Sequence, residues 1–221
     1  MNQTFSPRRF NLLPPVVKNL LIINGLCFLA YIVFMSRFGV NLNSILGIYY
    51  FQSEKFKLYQ FVTYMFMHAN FTHIFFNMFA LWMFGYLLEN IWGSKRFLIY
   101  YFVTGFGAMV IQMLVNFYQY YPITNAIEIY SQTPSPNDFM FILTKYFKGI
   151  YNPDSVNLFL DSFKANSSNL ALQTKSVDIL SQLYKARINV PTVGASGAVF
   201  GILLAFGMMF PNTEIMMLFL P

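Results

Sequence analysis

Three blocks of this chain, Val16–Phe34, Thr72–Ile91 and Phe97–Asn116, are apolar for long enough to cross a bilayer, which takes about 20 residues of helix. A backbone that enters hydrocarbon must satisfy every N–H and C=O internally, so each block is constrained to be a helix. A fourth block, Ala195–Met209, is shorter, and a fifth begins at Ile215, just before Pro221. Composition agrees. Of the 221 residues 57% are hydrophobic and 10% charged, against about 25% charged in soluble domains. The sequence reads as an all-α, polytopic helical membrane protein that partners a lipid bilayer.

The net charge of +6 does not mark a nucleic-acid binder, because the basic residues sit near the ends of apolar blocks and form no stripe. They set orientation instead. Arg8, Arg9 and Lys18 flank the first block, and Lys95 with Arg96 joins the second to the third. Both places are expected in the cytoplasm, with residues 1–15 as a cytoplasmic N-terminal segment. Gly39–Phe71 and Tyr118–Val190 then lie outside, on the side where Ser196 begins the fourth helix. The first block runs to Met35 without a small-residue cleavage site, so it reads as an anchor and not a signal peptide. With short cytoplasmic loops, this suggests a bacterial inner membrane.

Residues 16–221 are expected to form one membrane domain interrupted by an extramembrane insert, 118–190. The Gly39–Phe71 segment is rich in aromatic rings and suits an interfacial position. The insert balances six basic against five acidic residues, and loose helical spacing of its apolar residues predicts one to three short helices. A single cysteine, Cys27, excludes an intrachain disulfide and a cysteine metal cluster. With His68 and His73 the only histidines, no metal site and no cofactor are expected.

Chemistry enters at Gly194-Ala195-Ser196-Gly197. Small residues recur every four positions at Gly197, Gly201 and Ala205, which suits close helix packing. The serine falls one position before that stripe. On the second helix His73 and Asn77 are four apart and share a face. Polar groups within a membrane are costly and often functional. The topology brings His73, Asn77 and Ser196 to similar depth. A serine hydroxyl, an imidazole, an amide and a backbone N–H at a helix start are the groups an acyl-transfer site needs.

Taken together, His68…His73-Ile74-Phe75-Phe76-Asn77, Glu89…Gly93-Ser94 and Gly194-Ala195-Ser196-Gly197-Ala198-Val199-Phe200-Gly201 resemble the rhomboid family of intramembrane serine proteases. The resemblance covers about 60–116 and 192–221. It implies Ser196 as nucleophile, His73 and Asn77 with the Ser196 N–H as oxyanion donors, and Gly194 as a small residue on the substrate wall. His68 and Glu89 would be structural, beside Gly197 and Gly201. Transmembrane proteins would be the substrates. The insert departs from the compact connection of many members.

A serine needs an adjacent base. The family supplies a histidine on its sixth helix, packed on the small-residue stripe. No histidine follows His73 here, and the family places the His73 equivalent on the oxyanion side. The chain therefore reads as a rhomboid-like bundle lacking the end of the fifth helix and all of the sixth. Its base would lie beyond Pro221, its stripe would be left to lipid or another chain, and the 221 residues alone would be inactive. The alternative is a non-catalytic rhomboid-like protein that binds transmembrane helices.

Overall fold

The computed structural model describes residues 10–213, and among these the architecture is all-helical. The helices are α1 (Pro15–Phe38), α2 (Leu42–Leu46), α3 (Gln60–Thr63), α4 (Phe71–Trp92), α5 (Ser94–Gln132), α6 (Pro136–Tyr146), α7 (Pro153–Ala165), α8 (Leu170–Ile188) and α9 (Ser196–Met209). Three of them, α1, α4 and α5, are long and apolar enough to span a membrane, and α9 is a shorter apolar helix. The expected fifth segment, from Ile215, lies outside the described residues.

The chain divides into two units. Among the described residues the first holds 10–48, 57–111 and 191–213, and the second 49–56 and 112–190.

In the first unit, α1 starts on Pro15, whose fixed φ suits the first helical position. It ends on Gly39 at φ 65°, with the Gly39 and Val40 N–H groups donating to Met35 O and Phe34 O. Helix α4 is capped by Asn70, whose side chain accepts from the His73 N–H at 2.9 Å. Its buried face, Ile74, Asn77, Leu81, Phe84, Gly85, Leu88 and Glu89, follows the spacing of three and four that puts residues on one side of a helix. Three helices meet at Gly85. A Cβ there would stand 3.1 Å from Phe97 Cζ of α5 and 3.1 Å from Val17 Cγ2 of α1.

Glu89 ties the far end of this bundle. It is buried and accepts from the Val16 and Val17 N–H groups at 3.0 and 2.8 Å, and from the Ser94 hydroxyl at 2.6 Å. One carboxylate thereby caps α1, favours the positive end of its dipole and holds the start of α5.

The small-residue stripe of α9 has its partner within the chain, which corrects the expectation that lipid or another chain covers it. A Cβ on Gly197 would come within 2.6 Å of Ala108 Cβ, and one on Gly201 within 2.5 Å of Thr104 Cβ. The Tyr100 hydroxyl donates to Gly201 O at 2.9 Å. Glycine at these positions lets α9 and α5 approach almost backbone to backbone. On its other side α9 meets α4, with the Phe84 and Phe206 rings 4.9 Å apart edge to face.

Helix α5 differs from the prediction at its end. It continues to Gln132 where the sequence pattern placed the end near Asn116. At 1.5 Å per residue its 39 residues span about 58 Å, roughly twice a bilayer core. Loss of hydropathy was read as loss of helix. The helix goes on because Ile123 and Tyr130 bury in the core of the second unit, and Pro122 is accommodated within it.

That core also takes Phe139, Leu143, Phe147, Phe159, Phe163 and Leu180. Its three further helices start on Ser135, Asn152 and Asn169, each accepting a backbone N–H. Beside them, Tyr184 donates to Gln52 Oε1 and Lys185 pairs with Glu54 at 3.2 Å.

Candidate active site

The site is built where α4 and α9 begin. Gly194, two residues before α9 opens, is buried with φ at 124°, a region that L side chains rarely adopt. A Cβ on Gly194 would lie 2.7 Å from both Cε1 and Nε2 of His73, and 3.7 Å from Ser196 Oγ. The imidazole and the hydroxyl therefore share the space that glycine leaves open. Three of the residues singled out in the sequence, His73, Gly194 and Ser196, are brought together.

His73 is oriented from its other nitrogen. The Ala69 N–H donates to His73 Nδ1 at 3.4 Å. A nitrogen that accepts a hydrogen bond carries no proton, so the neutral ring has its proton on Nε2, the atom facing Gly194. His73 thus presents a donor to the space over Gly194. The Ser196 N–H belongs to the first turn of α9, where backbone donors have no intrahelical acceptor. Both donors point chemistry of one kind at this place, the stabilisation of developing negative charge.

Asn77 lies one turn along α4 and is buried. Its amide donates to His73 O at 2.9 Å, so one of its two hydrogens is held by its own helix. Ser196 is half-exposed, and Gly197 and Gly201 pack away from it against α5.

His68 stands beside the site at 1% exposure. Its ring meets that of His73 edge to face, with centroids 5.1 Å apart. Neither ring nitrogen has a partner at hydrogen-bonding geometry. Burial pulls the imidazole down to about 4, with neighbouring His73 acting in the same direction and the Phe66 backbone weakly against it. Its carbonyl accepts from Asn43 Nδ2 at 3.0 Å. Glu89 sits at the opposite end of α4, with the capping role described above.

Supporting residues escaped the sequence reading. Asn70 caps α4 and so sets the direction of His73. Tyr64 holds two elements: its hydroxyl donates to Gly105 O at 2.8 Å and its carbonyl accepts from the Gly194 N–H at 2.9 Å. For Asn70 the signal was present, an Asn directly before an apolar helix. For Tyr64 there was none, since its partners are backbone atoms far away in sequence.

Residues 55–128 match the family described as Rhomboid domain. A similar protein is Rhomboid-like protein 11, chloroplastic, of Arabidopsis thaliana, 44% identical over 57 residues, which are 26% of this chain and 20% of that protein. The chain thus spans about a fifth of the length of the curated relative it matches. No solved structure matches the chain. The segment that matches the Rhomboid domain carries His68, His73, Asn77 and Glu89, and over this third of its length the chain is similar to the rhomboid family.

Proposed function

We propose that the protein is an intramembrane serine endopeptidase that cleaves transmembrane segments of other membrane proteins, with Ser196 as nucleophile. The supporting observation is the shared space over Gly194, flanked by His73 Nε2 and Ser196 Oγ. In this reading Ser196 Oγ attacks the scissile carbonyl. The His73 Nε2–H and the Ser196 N–H receive the oxyanion. Asn77 holds the His73 carbonyl with one amide hydrogen and offers the other to the substrate.

A hydroxyl at its free pKa requires a base. With His73 Nδ1 accepting from the Ala69 N–H, Nε2 serves as a donor in this reading, and the base is assigned to a group other than His73. The N-terminus is read as cytoplasmic on the distribution of short basic segments, and the membrane as a bacterial inner membrane on the short cytoplasmic loops and the first block's character as an anchor.

The second reading, a rhomboid-like protein that binds transmembrane helices without cleaving them, is separated by one comparison. The complete protein and its Ser196→Ala variant are each given a transmembrane substrate in liposomes. Cleavage by the parent and none by Ser196→Ala is expected. Equal cleavage by both removes Ser196 from its role, and binding without cleavage by either favours the second reading.

A further inference from the structure

The loop that leads into Ser196 is gripped by the segment between α1 and α4. Ile48 and Thr192 exchange both of their backbone hydrogen bonds, Ile48 N–H to Thr192 O at 2.9 Å and Thr192 N–H to Ile48 O at 2.7 Å. The Gly194 N–H completes the grip on Tyr64 O at 2.9 Å. Ser196 starts its helix two residues later.

Gly47 is the point where the segment after α2 meets the side chains of Pro191 and Val193. A Cβ there would stand 2.5 Å from Asn43 O, 2.8 Å from Val193 Cγ1 and 2.9 Å from Pro191 Cβ. Its φ of −69° and ψ of 151° suit any residue, so what the position demands is space and not conformation. The glycine side cannot retreat to make that space. The Thr63 hydroxyl donates to Leu46 O at 2.6 Å and the Tyr59 hydroxyl to Ile45 O at 3.1 Å, holding the residues just before it. A side chain at 47 would therefore press both on Asn43 O of its own segment and on residues 191–193.

We infer that Gly47 is a positioning residue for Ser196: the missing side chain lets the Ile48–Thr192 bridge close, and the bridge fixes where α9 begins. The kinetic consequence rests on the proposed protease activity, while the structural consequence does not. A displacement of about 1 Å at a reacting group costs about 100-fold in rate. Binding of a transmembrane substrate, spread over a helix length, is left largely alone.

The test uses Gly47→Ala in the complete protein in detergent micelles, with two readouts. Amide hydrogen exchange at Thr192 and Gly194 is expected to speed up by about tenfold or more, while the interior of α4 keeps its protection. The kcat for a transmembrane substrate is expected to fall about tenfold or more with KM unchanged. A cysteine pair, Ile48→Cys with Thr192→Cys, gives a second arm, because residues exchanging both bonds lie at a separation a disulfide can bridge. Oxidation of that pair is expected to restore kcat to Gly47→Ala, and to leave the Gly47 protein at full kcat.

Unchanged exchange at Thr192 and Gly194 in Gly47→Ala overturns the inference. So does loss of kcat on oxidising the pair in the Gly47 protein, which also decides the matter should Gly47→Ala fail to fold. If cleavage survives Ser196→Ala, the nucleophile role of Ser196 fails and the exchange readout alone judges Gly47.

Discussion

The ring of His73 occupies the place that a Cβ on Gly194 would take, with Nε2 only 2.7 Å from that point. Two residues far apart in sequence are thereby made conditional on each other. Glycine is required for two separate reasons, the left-handed φ of 124° and the absence of room. Ser196 comes into line because its hydroxyl borders the same space.

Gly194→Ala breaks this relationship directly. Strain at a positive φ costs about 1–3 kcal/mol, and the new methyl group must displace the His73 ring. Cleavage by the complete protein is expected to fall about 100-fold, the scale of a misplaced catalytic donor. Side-by-side rate measurements on parent and variant check this; a rate within twofold of the parent counts against the pairing.

Glu89 is expected to matter for stability and not for chemistry. Glu89→Ala leaves the Val16 and Val17 N–H groups and the Ser94 hydroxyl without their acceptor. The loss is roughly 2–4 kcal/mol, on the scale of one to two buried donors left unpaired. Glu89→Gln keeps one acceptor oxygen and loses less. Thermal unfolding in detergent should rank parent, Gln, then Ala, and equal Tm values for all three would remove the capping role.

His68 gives the fold a defined acid limit. Its folded pKa of about 4 lies below the ordinary histidine value of 6.5, so the unfolded chain binds the extra proton between those values. Stability from this group is fully present above pH 6.5. It declines as pH falls toward 4, by about 3 kcal/mol in all. Denaturant unfolding at a series of pH values should show this slope in the parent and a flatter one in His68→Phe. Parallel slopes would show that His68 does not set it.

The glycines of α9 are predicted to differ sharply. Gly201→Ala drives a methyl group into Thr104, whereas Gly207 has open space around its Cβ position. Gly207→Ala should be neutral or stabilising by up to about 1 kcal/mol through helix propensity. Gly201→Ala should lower Tm by several degrees, since a domain of this size loses roughly 2–4 °C per kcal/mol. Equal effects of the two changes would contradict the α9–α5 contact.

The helices were legible where hydropathy and end signals agreed. Pro15 and Gly39 bracket α1, and Asn70 and Gly93 bracket α4. The end of α5 was hidden because a helix can outlast its apolar character once Ile123 and Tyr130 bury in the core of the second unit. The Gly197–Gly201 stripe announced a close helix contact without saying with which helix, and the partner proved to be Thr104 and Ala108. His73 and Ser196 stand out in the sequence as polar residues in a costly place. Their meeting over Gly194 was not, since it depends on the Ile48–Thr192 and Tyr64–Gly194 backbone bonds, which no side-chain pattern records.

The central claim is that the Ser196 hydroxyl is a nucleophile. Treating the complete protein with a fluorophosphonate and mapping the adduct by peptide mass spectrometry tests it most directly. One phosphonyl group is expected, on Ser196, and none in Ser196→Ala. A complete protein that stays unmodified at Ser196 under conditions where it cleaves substrate would contradict it.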